Sequence, residues 1–191
     1  MLNTGDTGAI ILLRVNLLQN RFSATKSHRA YMDAGLRLLT VPPELALEFF
    51  SVFSRLEYAL KITAQFRQAG NGEAKADWAA FAEGIAQSFE PHKNQETKRA
   101  FEFLVHANLR RLEVSGNDVE WKPFNVADPE SDADRVIRII KQVRNNLFHG
   151  GKYAREPDGS PERDRALLLH SLTILRYLVG LHAEVQAKYE M

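Results

Sequence analysis

Between Pro43 and Ala69 the residues Leu45, Phe49, Val52, Phe53, Leu56, Leu60 and Thr63 recur at three- and four-residue steps. That period belongs to one face of an α-helix, not to a strand. A stripe of this kind is stable only when another element covers it, so the spacing demands partner helices. Later segments supply them. Trp78, Phe81, Ile85 and Phe89 mark a shorter pattern from Ala76 to Phe89. Phe101, Leu104, Val105 and Leu109 mark one from Thr97 to Leu112. A fourth runs from Asp132 to His149. The last runs from Pro161 to about Tyr189, with Leu168, Leu172, Leu175 and Val179 on one stripe and Ile174, Leu178, Leu181 and Val185 beside it.

Punctuation between these patterns agrees with helix ends. Pro42-Pro43 followed by Glu44 suits a first turn. Gly70-Asn71-Gly72 reads as the stop of the first long helix. Pro91 closes the second pattern, and Ser131 and Ser160-Pro161-Glu162 offer caps. Residues 114–131, with Gly116, Asn117, Pro123, Asp128 and Pro129, read as an irregular loop that Trp121 and Phe124 pin to the core. Strand alternation is almost absent. The expected fold is all-α: a four-helix up-down bundle with extra short helices and an irregular N-terminal segment. Residues 1–42 form an N-terminal extension, in which Ile10–Leu18 is strand or helix and Ser27–Leu39 is weakly helical. Residues 43–191 form the bundle.

A chain of 191 residues fits one domain and buries enough surface to fold without staples. It has no cysteine, which excludes a disulfide scaffold, a thiolate metal site and a cysteine nucleophile. The same absence is compatible with a cytoplasmic location. A net charge of +1 means that any nucleic-acid contact comes from a local patch. The apolar run Ala9–Leu18 is too short to span a bilayer and is interrupted by Arg14 and Asn16, so no membrane segment is expected.

The chemically specific segment is Arg144-Asn145-Asn146-Leu147-Phe148-His149, followed by Gly150-Gly151-Lys152-Tyr153. At 100° per residue, Val136, Ile140, Val143 and Leu147 form a stripe that faces the core, widened by Ile137 and Ile139. Arg144 lies at its border, and its stem can pack while the guanidinium reaches outward. Asn145 and His149 share a face nearly opposite the core. His149 at the helix end, favoured as imidazolium, suits general acid/base work. Arg144 is a fork for phosphate oxygens and Asn145 an orienting or donating amide. Such a set can cleave RNA without metal, with the 2′-hydroxyl as nucleophile. Arg144 and His149 diverge on one helix, so they meet around one phosphate only if the helix end unwinds at Gly150 or two copies pair across a two-fold axis.

Around this segment the readings are plainer. Arg135, Arg138 and Lys141 with Arg144 make a basic strip suited to RNA phosphates or to solvent. Asn146 reads as a solvent-facing amide. Glu57 pairs with Lys61 one turn on, the favoured reading, or with Arg144 across the bundle. Gly150-Gly151-Lys152 lacks Walker spacing and reads as a helix stop with a solvated lysine. No metal site and no cofactor is expected.

Arg144 with polar Asn145, the intervening residues and His149 resembles the signature motif of the HEPN superfamily. The motif stands near the end of the third main helix of the expected bundle, with a long last helix after it, as in that superfamily. Phe53-x-x-Leu56-Glu57-Tyr58-Ala59-Leu60-Lys61 resembles its first core helix. The resemblance covers residues 43–189. It implies a dimeric four-helix bundle whose two motifs form one site, acting as a metal-independent endoribonuclease in toxin or defence systems. The catalytic residues would be Arg144, Asn145 and His149. Arg138, Lys141 and Lys152 would contact RNA, with Glu57 and Tyr153 in support. An antitoxin protein would be a further partner. Toxins paired with small nucleotidyltransferase antitoxins often carry tyrosine two residues after the histidine; here Gly151 holds that place. Other superfamily members are non-catalytic modules that bind RNA, nucleotides or proteins, and that alternative stays open.

Overall fold

A computed structural model describes residues 39–148 and 160–191. The expected extension lies outside it up to residue 38, as do His149, Lys152 and Tyr153. The unit from Thr40 to Met191 is compact in itself and is the part described below.

The described chain is mostly helical. Helix α1 runs Pro43–Ile62, and a short 3-10 turn, Ala64–Phe66, leads to a hairpin of β1 (Arg67–Gly70) and β2 (Glu73–Ala76). Helices α2 (Trp78–Ile85) and α3 (Gln95–Val105) follow, with a 3-10 turn at Pro91–Lys93 between them. A second hairpin pairs β3 (Arg110–Ser115) with β4 (Asp118–Pro123). Helices α4 (Asp132–Phe148), α5 (Pro161–Val179) and α6 (Ala183–Glu190) complete the order. Helix α5 packs against α1 and α3, α4 against α2 and α3, and α6 against α1.

Each helix forms where its stripe and its caps agree. The α1 stripe is buried: Phe49, Leu56 and Leu60 have no exposed surface. Pro43 opens this helix with Glu44 in its first turn. Asp77 caps α2 by accepting from Ala80 N at 3.0 Å, and Asn94 caps α3 by accepting from Glu96 N at 2.8 Å. Ser131 accepts from Asp134 N and Ser160 from Arg163 N, both at 3.1 Å, so both expected caps are present. Phe66 is fully buried with its ring edge-on to Phe81 at 5.3 Å. A Cβ on Gly84 would meet that ring at 3.2 Å, so glycine lets α2 sit this close.

The strands correct the sequence reading, which had almost none. The first expected helix continued to Ala69, but α1 stops at Ile62 and Gly70-Asn71-Gly72 is a hairpin turn. Asn71 and Gly72 have φ of +50° and +81°, the left-handed pair that a tight two-residue hairpin needs. The expected Thr97–Leu112 helix ends at Val105, and residues 114–131 are part hairpin, not all irregular loop. There Leu112 faces Trp121 and Val114 faces Val119 across the ladder. Phe124 is half-buried against the core, as expected of an anchor, and its N–H donates to Leu109 O at 2.7 Å to close the hairpin base. The last helix is broken as well. It stops at Val179, and α6 starts anew at Ala183 with His182 as its cap and a bend of 113°.

Asn146 is the clearest correction. It is 6% exposed, not solvent-facing. Its amide nitrogen donates to Arg110 O at 2.8 Å and its oxygen accepts from Gln142 Nε2 at 2.7 Å. It ties α4 to the start of β3. Asn146→Leu leaves the Arg110 carbonyl without this donor, and urea denaturation is expected to show a loss of about 1–3 kcal/mol. A change below a few tenths of a kcal/mol would show that Asn146 does not hold the hairpin.

Candidate functional site

Burial fixes the rotation of α4. Val136, Ile137, Ile139, Ile140, Val143 and Leu147 are all buried, as the spacing requires. Arg144 is therefore left at the edge of the core, half-buried, and Asn145 stands exposed. The Arg144 guanidinium lies over the Phe53 ring, 5.4 Å from its centre. Phe53 stacks in turn on Trp78 at 5.3 Å and 29°. At that distance the ring face attracts the cation and steers the arginine toward α1 and α2. Arg144 Nη1 also donates to Asn145 Oδ1 at 3.0 Å. The adjacent amide thus orients the guanidinium.

A cleft of about 260 Å³ opens here. Phe53 and Trp78 form an aromatic wall; Lys61 comes from α1, Lys75 from β2, and Lys141 and Arg144 from α4. Glu57 is its only carboxylate among the described lining residues. Glu57 pairs with Lys61 at 2.6 Å, the local pair that the spacing favoured. Four cations against one carboxylate make a surplus of three positive charges in a confined space. Such a site attracts a polyanion even though the chain is nearly neutral overall.

Partial burial holds the Lys141 amine below the ordinary lysine value of 10.5; Glu57 opposes the shift, while Arg138 and Arg144 add to it. The residue as a whole is exposed, so it is the surroundings of the amine that are restrictive. An incoming anion would restore what burial takes away.

The basic strip is not one surface. Arg138 is committed to Asp134 at 2.8 Å and also donates to Ala127 O at 3.3 Å, where it fastens the loop before α4. Arg135 turns to a different cleft, lined by the end of α3 and the base of the second hairpin. Lys141 and Arg144 share the cleft described here, and Glu57 faces it from α1. His149, Lys152 and Tyr153 lie outside the described residues; α4 is described to Phe148, the residue before His149.

The chain matches no family model, no curated protein and no solved structure. The site therefore rests on its own geometry.

Lys61, Lys75, Phe53 and Trp78 were not read from the sequence as site residues. Phe53 and Trp78 carry the helical period of core residues, and both do pack. Lys75 reaches the cleft only because residues 67–76 are a hairpin. Among the described residues no group of three or more His, Asp and Glu side chains could hold a metal ion.

A nucleoside monophosphate bound here would favour the charged form of Lys141, so its binding would take up protons where that amine is partly neutral. Affinity is expected to be full below the lowered Lys141 value and to fall as pH rises through it, beginning below 10.5. Calorimetric titration between about pH 7 and 10.5 measures this. Lys141→Arg, whose guanidinium stays charged over this range, should abolish the early part of the fall. An identical profile in that variant would show that Lys141 does not meet the anion.

Proposed function

We propose that this protein is a metal-independent endoribonuclease of the HEPN type, working as a homodimer. The observation that carries the reading is the cationic cleft in which Arg144 is held by Asn145 and Phe53, with His149 following five residues later in the sequence. In this reading α1, α3, α4 and α5 are the four main helices of an up-down bundle, with α2, α6 and the two hairpins added.

The chemistry follows from the groups. The RNA 2′-oxygen attacks the neighbouring phosphorus and the bond from phosphorus to the 5′-oxygen breaks. The products are a cyclic phosphate and a 5′-hydroxyl. His149 of one copy, as imidazolium, protonates the leaving 5′-oxygen, while the 2′-hydroxyl proton passes to water. Arg144 pairs with the non-bridging oxygens as their charge grows, and Asn145 keeps its fork in place. Lys141 and Lys152 hold flanking phosphates, as does Arg138 where RNA competes with Asp134. Glu57 keeps Lys61 at the cleft, and Tyr153 lies close to the histidine in sequence. Helical spacing would point Arg144 and His149 in different directions, so in this reading each of two working sites takes Arg144 from one copy and His149 from the other about a two-fold axis. No single helix among the described residues is long and apolar enough to cross a membrane. The reading places the enzyme in the cytoplasm as a toxin or defence nuclease, with an antitoxin protein as its natural restraint.

A second reading is a non-catalytic helical module that binds RNA, a nucleotide or a protein. It is favoured by the surplus positive charge of the cleft, which supports binding without any histidine.

Purified protein, single-stranded RNA and excess chelator separate the two. The first reading expects cleavage that survives chelation, drops by about 10²–10⁴-fold in His149→Ala, and by about 10²-fold or more in Arg144→Ala. Cleavage undiminished in His149→Ala would exclude it. The second expects binding without turnover, unchanged in His149→Ala and weakened in Arg144→Ala.

A further inference from the structure

The other cleft on α4 has the make-up of a ligand site in its own right. It lies where the chain enters and leaves the second hairpin and has a volume of about 310 Å³. Apolar side chains contribute part of its lining, with Leu109 buried and Phe124 and Val126 half-buried against the core, while most of the exposed lining is polar. Its polar groups come from three separate segments: Asn108 before β3, Asn125 after β4 and Arg135 in the second turn of α4.

The frame around it is held firmly. Arg163 of α5 donates to Ala107 O at 2.9 Å and to Asn108 O at 3.1 Å. Asn108 takes the left-handed conformation, φ +44°, which asparagine tolerates better than most residues. Phe124 N bonds Leu109 O across the base, and Arg138 fastens Ala127. Both asparagines therefore sit on backbone that other groups have already positioned.

Arg135 differs from its neighbours on the helix. Arg138 has Asp134, and Arg144 has Asn145 and Phe53. Arg135 is half-buried, yet among the described residues its guanidinium has no carboxylate and no hydrogen-bond partner. A half-buried cation without a counter-ion, at the rim of a cleft, is an invitation to an anion. Two amides beside it can each donate and accept. Convergent polar groups beside a few apolar side chains can hold a small molecule, and this volume is at the small end of such sites.

We infer that this cleft is a second binding site, for a small organic oxyanion: a phosphate monoester or carboxylate carried on a flat apolar body. The body lies on Phe124 and Val126, its polar edge meets Asn108 and Asn125, and the oxyanion pairs with Arg135. The site is separate from the cleft of Lys141 and Arg144 and is independent of whether that cleft cleaves RNA.

Calorimetry on the full chain tests this with four probes: adenosine monophosphate, adenosine, benzoate and inorganic phosphate. All are titrated into Arg144→Gln protein, so that the other cleft contributes little. Adenosine monophosphate, benzoate or both are expected to bind at least about tenfold more tightly than adenosine or inorganic phosphate, because the anion and the ring act together. Adding Arg135→Gln should weaken that binding about tenfold or more, and adding Asn125→Ala on the exposed loop should weaken it about threefold or more. Two results overturn the inference: neither anion binds at millimolar concentration, or binding is unchanged by Arg135→Gln and Asn125→Ala.

Discussion

Burial of one stripe on α4 settles most of what this molecule can do. Val136, Ile140 and Val143 are almost wholly enclosed, and Leu147 nearly so. An apolar face of that width cannot turn toward water without losing several kilocalories per mole, since each such side chain contributes about 1.5–3 kcal/mol on burial. The helix has one acceptable rotation. Every polar side chain on it is then assigned a direction, and the two flanks acquire different neighbours. Arg144 and Lys141 meet α1, α2 and the first hairpin. Arg135 meets the second hairpin and the end of α3.

The hairpins matter because they line what the helices leave open. β2 brings Lys75 to the cleft of Arg144, and the connections flanking β3 and β4 bring Asn108 and Asn125 to the cleft of Arg135. Asn146, spent on the Arg110 carbonyl, links α4 to the second hairpin from inside. Two adjacent asparagines in the same motif thus do unlike work. Asn145 orients the guanidinium at the surface, while Asn146 holds a strand in place.

The long stripes were legible because a helical face repeats over many residues and tolerates little else. The stripes of α1 and α4 and the caps at Ser131 and Ser160 all followed from spacing. The strands were harder for two reasons. β1 and β2 are four residues each with only alanine among their polar and glycine residues, so no strong apolar period of two marks them, and the Asn71-Gly72 turn was the clearest sign. β3 and β4 do alternate, at Leu112, Val114, Val119 and Trp121, but the prolines and aspartates that follow drew the segment toward a loop. The break after Val179 was hidden because the apolar period runs on through Leu181 and Val185 while the chain turns. Arg144 and Asn145 were legible as a site. The lysines gathered around them, and the aromatic wall, depend on pairings between distant segments that no local pattern reports.

The proposed reaction needs two copies, because helical spacing would point Arg144 and His149 apart and each site then takes Arg144 from one copy and His149 from the other. Mixing two inactive variants tests this most directly. Arg144→Ala and His149→Ala proteins are each purified, combined, unfolded gently and refolded together, and RNA cleavage is compared with wild type. A heterodimer restores one intact site out of two, and half of randomly exchanged dimers are heterodimers, so about a quarter of wild-type activity is expected to return. No recovery, with subunit exchange confirmed by a size tag on one variant, would contradict the composite site.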